Sequence, residues 1–305
     1  YEISCSLVGS EMCIRDSATA AQLKQMLHIS NDNYFEWRFG NIYYTKKGTG
    51  SPILLIHDTL PGASGYEWSK IEDELAIDHT VYTVDLLGCG RSDKSSITYT
   101  NFVYVQMISD FIKKIIGQKT DVIASGFSGS FVTMACHNEK ELFNKIMLIN
   151  PPSLTQLKQM PNRKDRLLKA ALEIPIFGTL VYHMIVSRDN INNLFIEKMY
   201  YNPFHVDNQM ADAYYEAAHK GGYYTRFLYS SLAAKYININ ICHALKALDN
   251  SIYIVEGETE PNGKAVTNDY CASNPAIEVS VLKETKHLPH VEAPEAFLEQ
   301  VKIFF

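Results

Sequence analysis

The chain predicts an α/β fold, a mostly parallel, doubly wound sheet with an inserted all-helical cap. Three observations predict it. Short apolar runs alternate with longer stretches of helical spacing in both end regions of the chain; the alternation stops between Asn150 and Asn250; and a turn rich in glycine and serine joins one apolar run directly to a helix.

Taken in order, Tyr1 to Ser17 (YEISCSLVGSEMCIRDS) has neither the helical nor the strand period. It resembles translated sequencing-adapter read-through, so residues 1–17 are expected to be a non-native leader, with the true N-terminus lost and any signal or anchor lost with it. Residues 18–151 are then the first part of the core, 152–249 the cap and 250–305 the second part of the core. Tyr34 to Phe39 and Asn41 to Thr45, aromatic-rich and separated by Gly40, predict a strand pair. Further strands are expected at 53–56, 81–84, 122–124, 146–149, 252–255 and 277–281. Helices are expected at 66–76, 101–116, 130–138 and 293–305. A structureless loop as long as 151–249 would be improbable in a compact domain, so its helical patterns at 166–172, 191–200, 208–220 and 223–234 are read as an inserted cap. Ile174 to Val186, broken by His183 and containing Pro175 and Gly178, is expected to be a buried or lid helix. No apolar run reaches the ~18 residues that a bilayer span requires.

Composition narrows the function classes. The 305 residues include 28 basic and 34 acidic side chains, net −6, which leaves no basic footprint for nucleic acid. Outside the leader, with its Cys5 and Cys13, the cysteines are Cys89, Cys136, Cys242 and Cys271. They lack C-x-x-C spacing and read as reduced thiols of a cytoplasmic-type protein. His287 and His290 have no accompanying third ligand cluster, so metal binding has no support.

The segment Ala124-Ser125-Gly126-Phe127-Ser128-Gly129-Ser130 carries the chemistry. Between a strand and a helix it approximates the G-x-S-x-G nucleophile elbow, in which small residues flank a side chain held on a strained turn. Two registers fit. With Gly126 and Ser130 as the flanking small residues, Ser128 is the nucleophile. With Ala124 and Ser125 as the first two positions, the nucleophile position falls on Gly126, Ser128 and Gly129 become the small residues behind it, and no side chain is left to attack.

At this point the chain resembles the α/β-hydrolase family over residues 34–305. Four segments carry the resemblance in order: LLIHDTLPG at 54–62, VDLLGCGRSD at 84–93, ASGFSGS at 124–130 and KHLPHVEAPEAF at 286–297. The resemblance implies the α/β-hydrolase fold and a site at its strand ends. His57-Asp58 stands where the family usually has His-Gly, which makes Thr59 N–H an oxyanion donor and sets the Asp58 carboxylate beside the hole. Gly129 is the second donor in the Ser128 register, and Phe127 in the Gly126 register. Asp85 and Arg91 of the D-x-x-G-x-G-x-S turn are expected to be structural. His287 falls at the position of the general base, since imidazole exchanges a proton near neutrality. Glu260 is similar to the family's acid after the strand at 252–255, with Glu258 as the lesser candidate, and Glu292 and Pro294 position the last loop and helix.

These residues imply a hydrolase that cleaves an ester, thioester or amide of a small, largely apolar substrate through Ser128, His287 and Glu260. The alternative is a catalytically degenerate member that binds a small ligand. The aspartate-nucleophile branch of the family, dehalogenase-like and epoxide-hydrolase-like, is disfavoured because neither Gly126 nor Ser128 is an aspartate. No organic cofactor is implied, the expected partner is a small molecule, the expected location is cytoplasmic, and the oligomeric state stays open.

Overall fold

The computed structural model describes residues 25–27 and 33–305. The expected leader at 1–17 lies outside the described residues. Eight strands form one sheet: β1 (Tyr34–Trp37), β2 (Gly40–Lys47), β3 (Ser51–Ile56), β4 (His79–Val84), β5 (Thr120–Ser125), β6 (Phe143–Ile149), β7 (Ile252–Gly257) and β8 (Glu278–Leu282), in the spatial order β1-β2-β4-β3-β5-β6-β7-β8. The first two strands pair antiparallel, as do β2 and β4, and every pair from β4 to β8 is parallel.

Strand alternation divides the core into two layers. Leu54, Ile56, Val122 and Ala124 face a cluster that includes Tyr104 and Phe111 of α2 (Asn101–Phe111) and Phe131 and Val132 of α3 (Ser128–Asn138). Ile53, Leu55 and Ile123 face the opposite layer, with Trp68, Leu75 of α1 (Glu72–Asp78), and Phe297 and Val301 of the C-terminal helix Pro294–Phe304. Each fully buried aliphatic side chain contributes about 1.5–3 kcal/mol, so a one-residue register slip in a central strand would exchange the two layers at prohibitive cost.

The expected helix at 66–76 divides into a 3-10 turn, Gly65–Trp68, followed by α1. The helix expected at 130–138 begins earlier, at Ser128. A helix at Gly263–Ser273 follows β7 and was not anticipated, because its apolar spacing is weak.

Between β6 and β7 the chain is helical: α4 (Leu154–Leu157), α5 (Arg163–Glu173), α6 (Phe177–Ile185), α7 (Arg188–Leu194), α8 (Asn208–His219), α9 (Thr225–Ala233) and α10 (Cys242–Ala247). Tyr182, Ile191, Phe195, Met210 and Tyr214 of this insert form their own apolar cluster, closed from the sheet side by Ala63, Leu288 and Val291. Of the stretch 174–186, expected to be a buried or lid helix, Phe177–Ile185 is helical and only one side of it is buried. Tyr182 and Val186 are buried, but Ile174, Ile176, Phe177, Leu180 and Met184 are exposed. Among the described residues no single helix is long and apolar enough to cross a membrane.

Candidate active site

The sheet order reverses direction around β3, and the loops leaving β3 and β5 therefore emerge side by side, with Ile56 paired to Ala124. Such a switch point at the carboxyl ends of parallel strands is where open α/β sheets bind ligands. The β3 loop supplies His57, Asp58 and Thr59, and the β5 turn supplies Gly126 and Phe127.

Gly126 is the apex of that turn. Its φ of +52° lies in the left-handed region, and its N–H donates to Ile149 O at 2.9 Å. A Cβ at this residue would stand 2.2 Å from Asp58 Cγ and within 2.4 Å of both carboxylate oxygens. The Asp58 carboxylate thus fills the space in which a side chain at the apex would project. Its Oδ1 accepts from Thr59 N–H at 2.6 Å and from Phe127 N–H at 2.8 Å, while its Oδ2 lies 3.5 Å from His287 Nε2.

Ser128 is elsewhere. The Ser128 register expects its hydroxyl to meet His287, and the structure corrects this. Ser128 begins α3, is fully buried, donates to His57 O at 2.6 Å and shares a 3.1 Å hydrogen bond with Thr59 Oγ1. Gly129 is likewise displaced from the donor role, since its N–H bonds Gly126 O at 3.2 Å and its α-carbon packs toward Leu148 of β6. Ser130 Oγ donates to Phe127 O at 2.7 Å and braces the turn. The left-handed φ of the turn falls on Gly126 and not on Ser128, and Gly129 lies where α3 passes close to Leu148 of the sheet.

His57 holds the β3 loop in place. Its Nε2 accepts Leu86 N–H at 3.0 Å, so Nδ1 is the donor to Asp58 O at 2.6 Å. The Asp85 and Arg91 turn beside it is structural: the Asp85 carboxylate, fully buried, accepts from Gly65 N–H, Arg91 N–H and the Arg91 guanidinium at 2.6–3.0 Å. Burial opposes its charge, but Arg91 outweighs burial and lowers its pKa to about 2.

His287 stands between two carboxylates, with Nδ1 3.3 Å from Glu260 Oε1 and Nε2 3.5 Å from Asp58 Oδ2. Burial disfavours the imidazolium, yet the hydrogen bonds and charges of Asp58 and Glu260 overcome it and raise the pKa to about 10. That direction keeps the ring protonated at neutral pH. Glu258, the lesser candidate, accepts Glu284 N–H at 3.0 Å. His290 is buried against Trp68, its Nε2 3.1 Å from Glu67, so the two histidines serve different partners. Among the described residues no group of three or more metal-ligating side chains occurs, and the four cysteines are free.

Asn150 is a positioning residue that sequence reasoning missed. Held at φ +42°, it donates from Nδ2 to Lys286 O and His287 O at 2.8 and 2.9 Å and accepts Gly257 N–H at 3.0 Å, tying the His287 loop to the end of β7. An asparagine leaving a strand directly before Pro151-Pro152 was the available signal, since asparagine tolerates the left-handed region. Glu292 adds a second tie by accepting Lys286 N–H and Tyr201 N–H, each at 2.7 Å. Asp58, Gly126, Glu260 and His287 open onto a cavity of about 540 Å³ to which the insert contributes Leu194 and Met199.

A model of the alpha/beta hydrolase family matches residues 53–300. The chain belongs to the α/β-hydrolase family. Within that family it is 29% identical over 113 residues to 2-hydroxy-6-oxo-6-(2'-aminophenyl)hexa-2,4-dienoic acid hydrolase of Metapseudomonas resinovorans, a match covering 36% of this chain and 39% of that protein. It is 24% identical over 109 residues to a soluble epoxide hydrolase of Corynebacterium sp., covering 36% and 37% of the two chains. Among solved α/β-hydrolase-fold structures, the meta-cleavage product hydrolase of Pseudomonas fluorescens IP01 superposes with a TM-score of 0.69 at 19% identity, over 87% of this chain and 94% of that one. Bromoperoxidase from Bacillus anthracis gives 0.70 at 15% identity, over 87% and 95%. These structural likenesses establish the fold.

Proposed function

We propose that this α/β hydrolase acts through Asp58 rather than through a serine, opening small, largely apolar epoxides. One observation carries the reading: the Asp58 carboxylate occupies the space above the side-chain-free apex Gly126, with one oxygen on two backbone N–H groups and the other facing His287. That is the arrangement a carboxylate nucleophile needs. Oδ2 attacks an epoxide carbon, the carbon–oxygen bond breaks, and the alkoxide takes the proton from His287 Nε2. The neutral imidazole then deprotonates water, and the hydroxide adds to Asp58 Cγ. The oxyanion forms on Oδ1, where the Thr59 and Phe127 N–H groups already point. Collapse expels the diol oxygen, which takes the proton back from His287. The remaining Asp58 carboxyl proton passes to the ring and restores the resting ion pair.

The protonated state of His287 favours an epoxide over an alkyl halide. An epoxide requires a proton as its ring opens, whereas a halide leaves without one and would strand the imidazole in a form that cannot activate water. The soluble epoxide hydrolase among the relatives is in keeping with this reading. Cleavage of an ester, thioester or amide by Ser128 is the reading the geometry supports least, because that hydroxyl is fully buried and engaged with His57 and Thr59.

The test is a single turnover of styrene oxide or 1,2-epoxyhexane with enzyme in excess in oxygen-18 water, followed by peptide mass spectrometry. Oxygen-18 incorporated at Asp58, with turnover abolished in Asp58→Asn, is the expected result. Label confined to the diol would mean direct attack by water, and saturable binding without turnover would favour the ligand-binding alternative.

A further inference from the structure

We propose that the ridge formed by α5 and α6 is an interfacial membrane-binding surface that docks on anionic lipid. The two helices meet at 97°. On α5 and its C-cap, Leu167, Ala170, Ala171 and Ile174 recur at the spacing of one helix face; on α6, Phe177, Leu180, Val181 and Met184 do the same. Such a stripe ordinarily faces a core. Here Leu167 is 72% exposed, Ile174 51%, Phe177 52%, Leu180 56% and Met184 63%. An apolar face of this kind on a charged scaffold marks an interaction site.

The backbone at the junction holds this face outward. Ile176 sits at φ +63° and ψ −68°, with Phe177 N–H donating to Pro175 O at 2.7 Å. This tight three-residue turn is strained, and a β-branched residue at positive φ is an outlier. It exposes Ile176 and Phe177 together at the tip.

Charge selects the partner. The chain carries a net charge of −6, yet between Lys158 and Lys169 it has Lys158, Arg163, Lys164, Arg166 and Lys169 against a single acid, Asp165. Asp165 is buried as the N3 residue of a capping box. Arg163, Lys164 and Arg166 are exposed at the start of α5, and none pairs with a carboxylate among the described residues. Cations at one end of an outward apolar stripe fit lipid headgroups above an acyl layer.

Co-sedimentation with vesicles of phosphatidylcholine, alone or mixed with phosphatidylglycerol, tests this on the full chain. The wild type is expected to sediment with the anionic vesicles, less so as salt rises. The partition coefficient should fall about tenfold or more in Phe177→Asp/Leu180→Asp and in Arg163→Glu/Arg166→Glu. Both pairs are exposed, and an unchanged melting temperature verifies the fold of each variant. No partition of the wild type, or partition unaltered in both variants, overturns the proposal. So does a wild-type dimer that Phe177→Asp/Leu180→Asp converts to monomer without any vesicle binding, which would make the ridge a contact between two copies.

Discussion

Replacing Asp58 with asparagine should lower the pKa of His287 by about 2–3 units while leaving the fold intact. The shapes are the same, and the amide oxygen can still accept from Thr59 N–H and Phe127 N–H. What disappears is a charge 3.5 Å from Nε2. At an effective dielectric constant of about 20 that charge is worth about 5 kcal/mol, or ~3.5 units, to the imidazolium. The ring is 19% exposed, so solvent screening trims the effect. From about 10 in the wild type, the pKa should fall in the variant toward the ordinary imidazole value of about 6.5. The amide group turned toward the ring also cannot accept from an imidazolium, which acts in the same direction. Imidazole resonances followed by NMR from pH 5 to 11, with His287 identified by its absence in His287→Gln, would measure both values. Stability gives a second readout. The folded pKa is raised, so the stabilisation it brings is fully present below the unfolded value of about 6.5 and is lost as pH rises through about 10. Wild-type urea midpoints should decline across that window more than those of Asp58→Asn. A wild-type His287 titrating near 6.5, or a variant still near 10, would refute the carboxylate-clamped imidazolium.

Gly126→Ser alone should destabilise the protein, because the added Cβ would lie 2.2 Å from Asp58 Cγ; joined to Asp58→Gly, the introduced serine should become reactive toward a fluorophosphonate probe, with peptide mass spectrometry locating the label. Ser128→Ala should cost about 1–3 kcal/mol in urea denaturation through the buried partners it strands, and should leave the His287 titration unmoved. Asp85→Asn should cost about 3–5 kcal/mol by leaving Arg91 without its buried counter-charge. With its folded pKa lowered to about 2, Asp85 stabilises the wild type above about pH 4 and loses that contribution as pH falls toward 2, so the variant's stability should depend less on pH in that range.

The sheet was legible because its strands are apolar runs bounded by turns, a pattern that burial on both faces imposes on a central parallel strand. The helices of the insert were legible as a group. Their orientation was not, since Ile174 to Met184 reads the same whether its stripe faces inward or out. At the site, His287 and Glu260 are expected from the resemblance to the family's base and acid positions, and the structure sets Nδ1 3.3 Å from Oε1. The elbow register could not be decided from local pattern, because serine at 128 satisfies both a nucleophile and a close helix–sheet contact. Asp58 was noticed as an intrusion beside the oxyanion donors, and its aim was invisible: which way a side chain points across a 69-residue separation is set by the pairing of β3 with β5. The elbow itself carries no aspartate, so its local pattern speaks against an aspartate nucleophile even though a carboxylate reaches the apex from another loop.

Gly126 and Asp58 are one feature rather than two. A carboxylate reaching in from the β3 loop is incompatible with any side chain at the apex, and an apex without a side chain leaves a hole that two N–H donors would otherwise share with water. Neither residue makes physical sense with the other restored to a conventional one. A serine at the apex would collide with the carboxylate, while a glycine at position 58 would leave His287 facing nothing that could react. On the proposed reading, the pair keeps a reactive atom between two N–H donors and an imidazole while placing that atom on the β3 loop. The exchange also changes the charge of the resting state. A serine is neutral and lets the imidazole wait as a base; a carboxylate is an anion and keeps the imidazole protonated. On the proposed reading, chemistry at this site begins with a substrate that accepts a proton, and His287 acts as a base only after that proton has been given away.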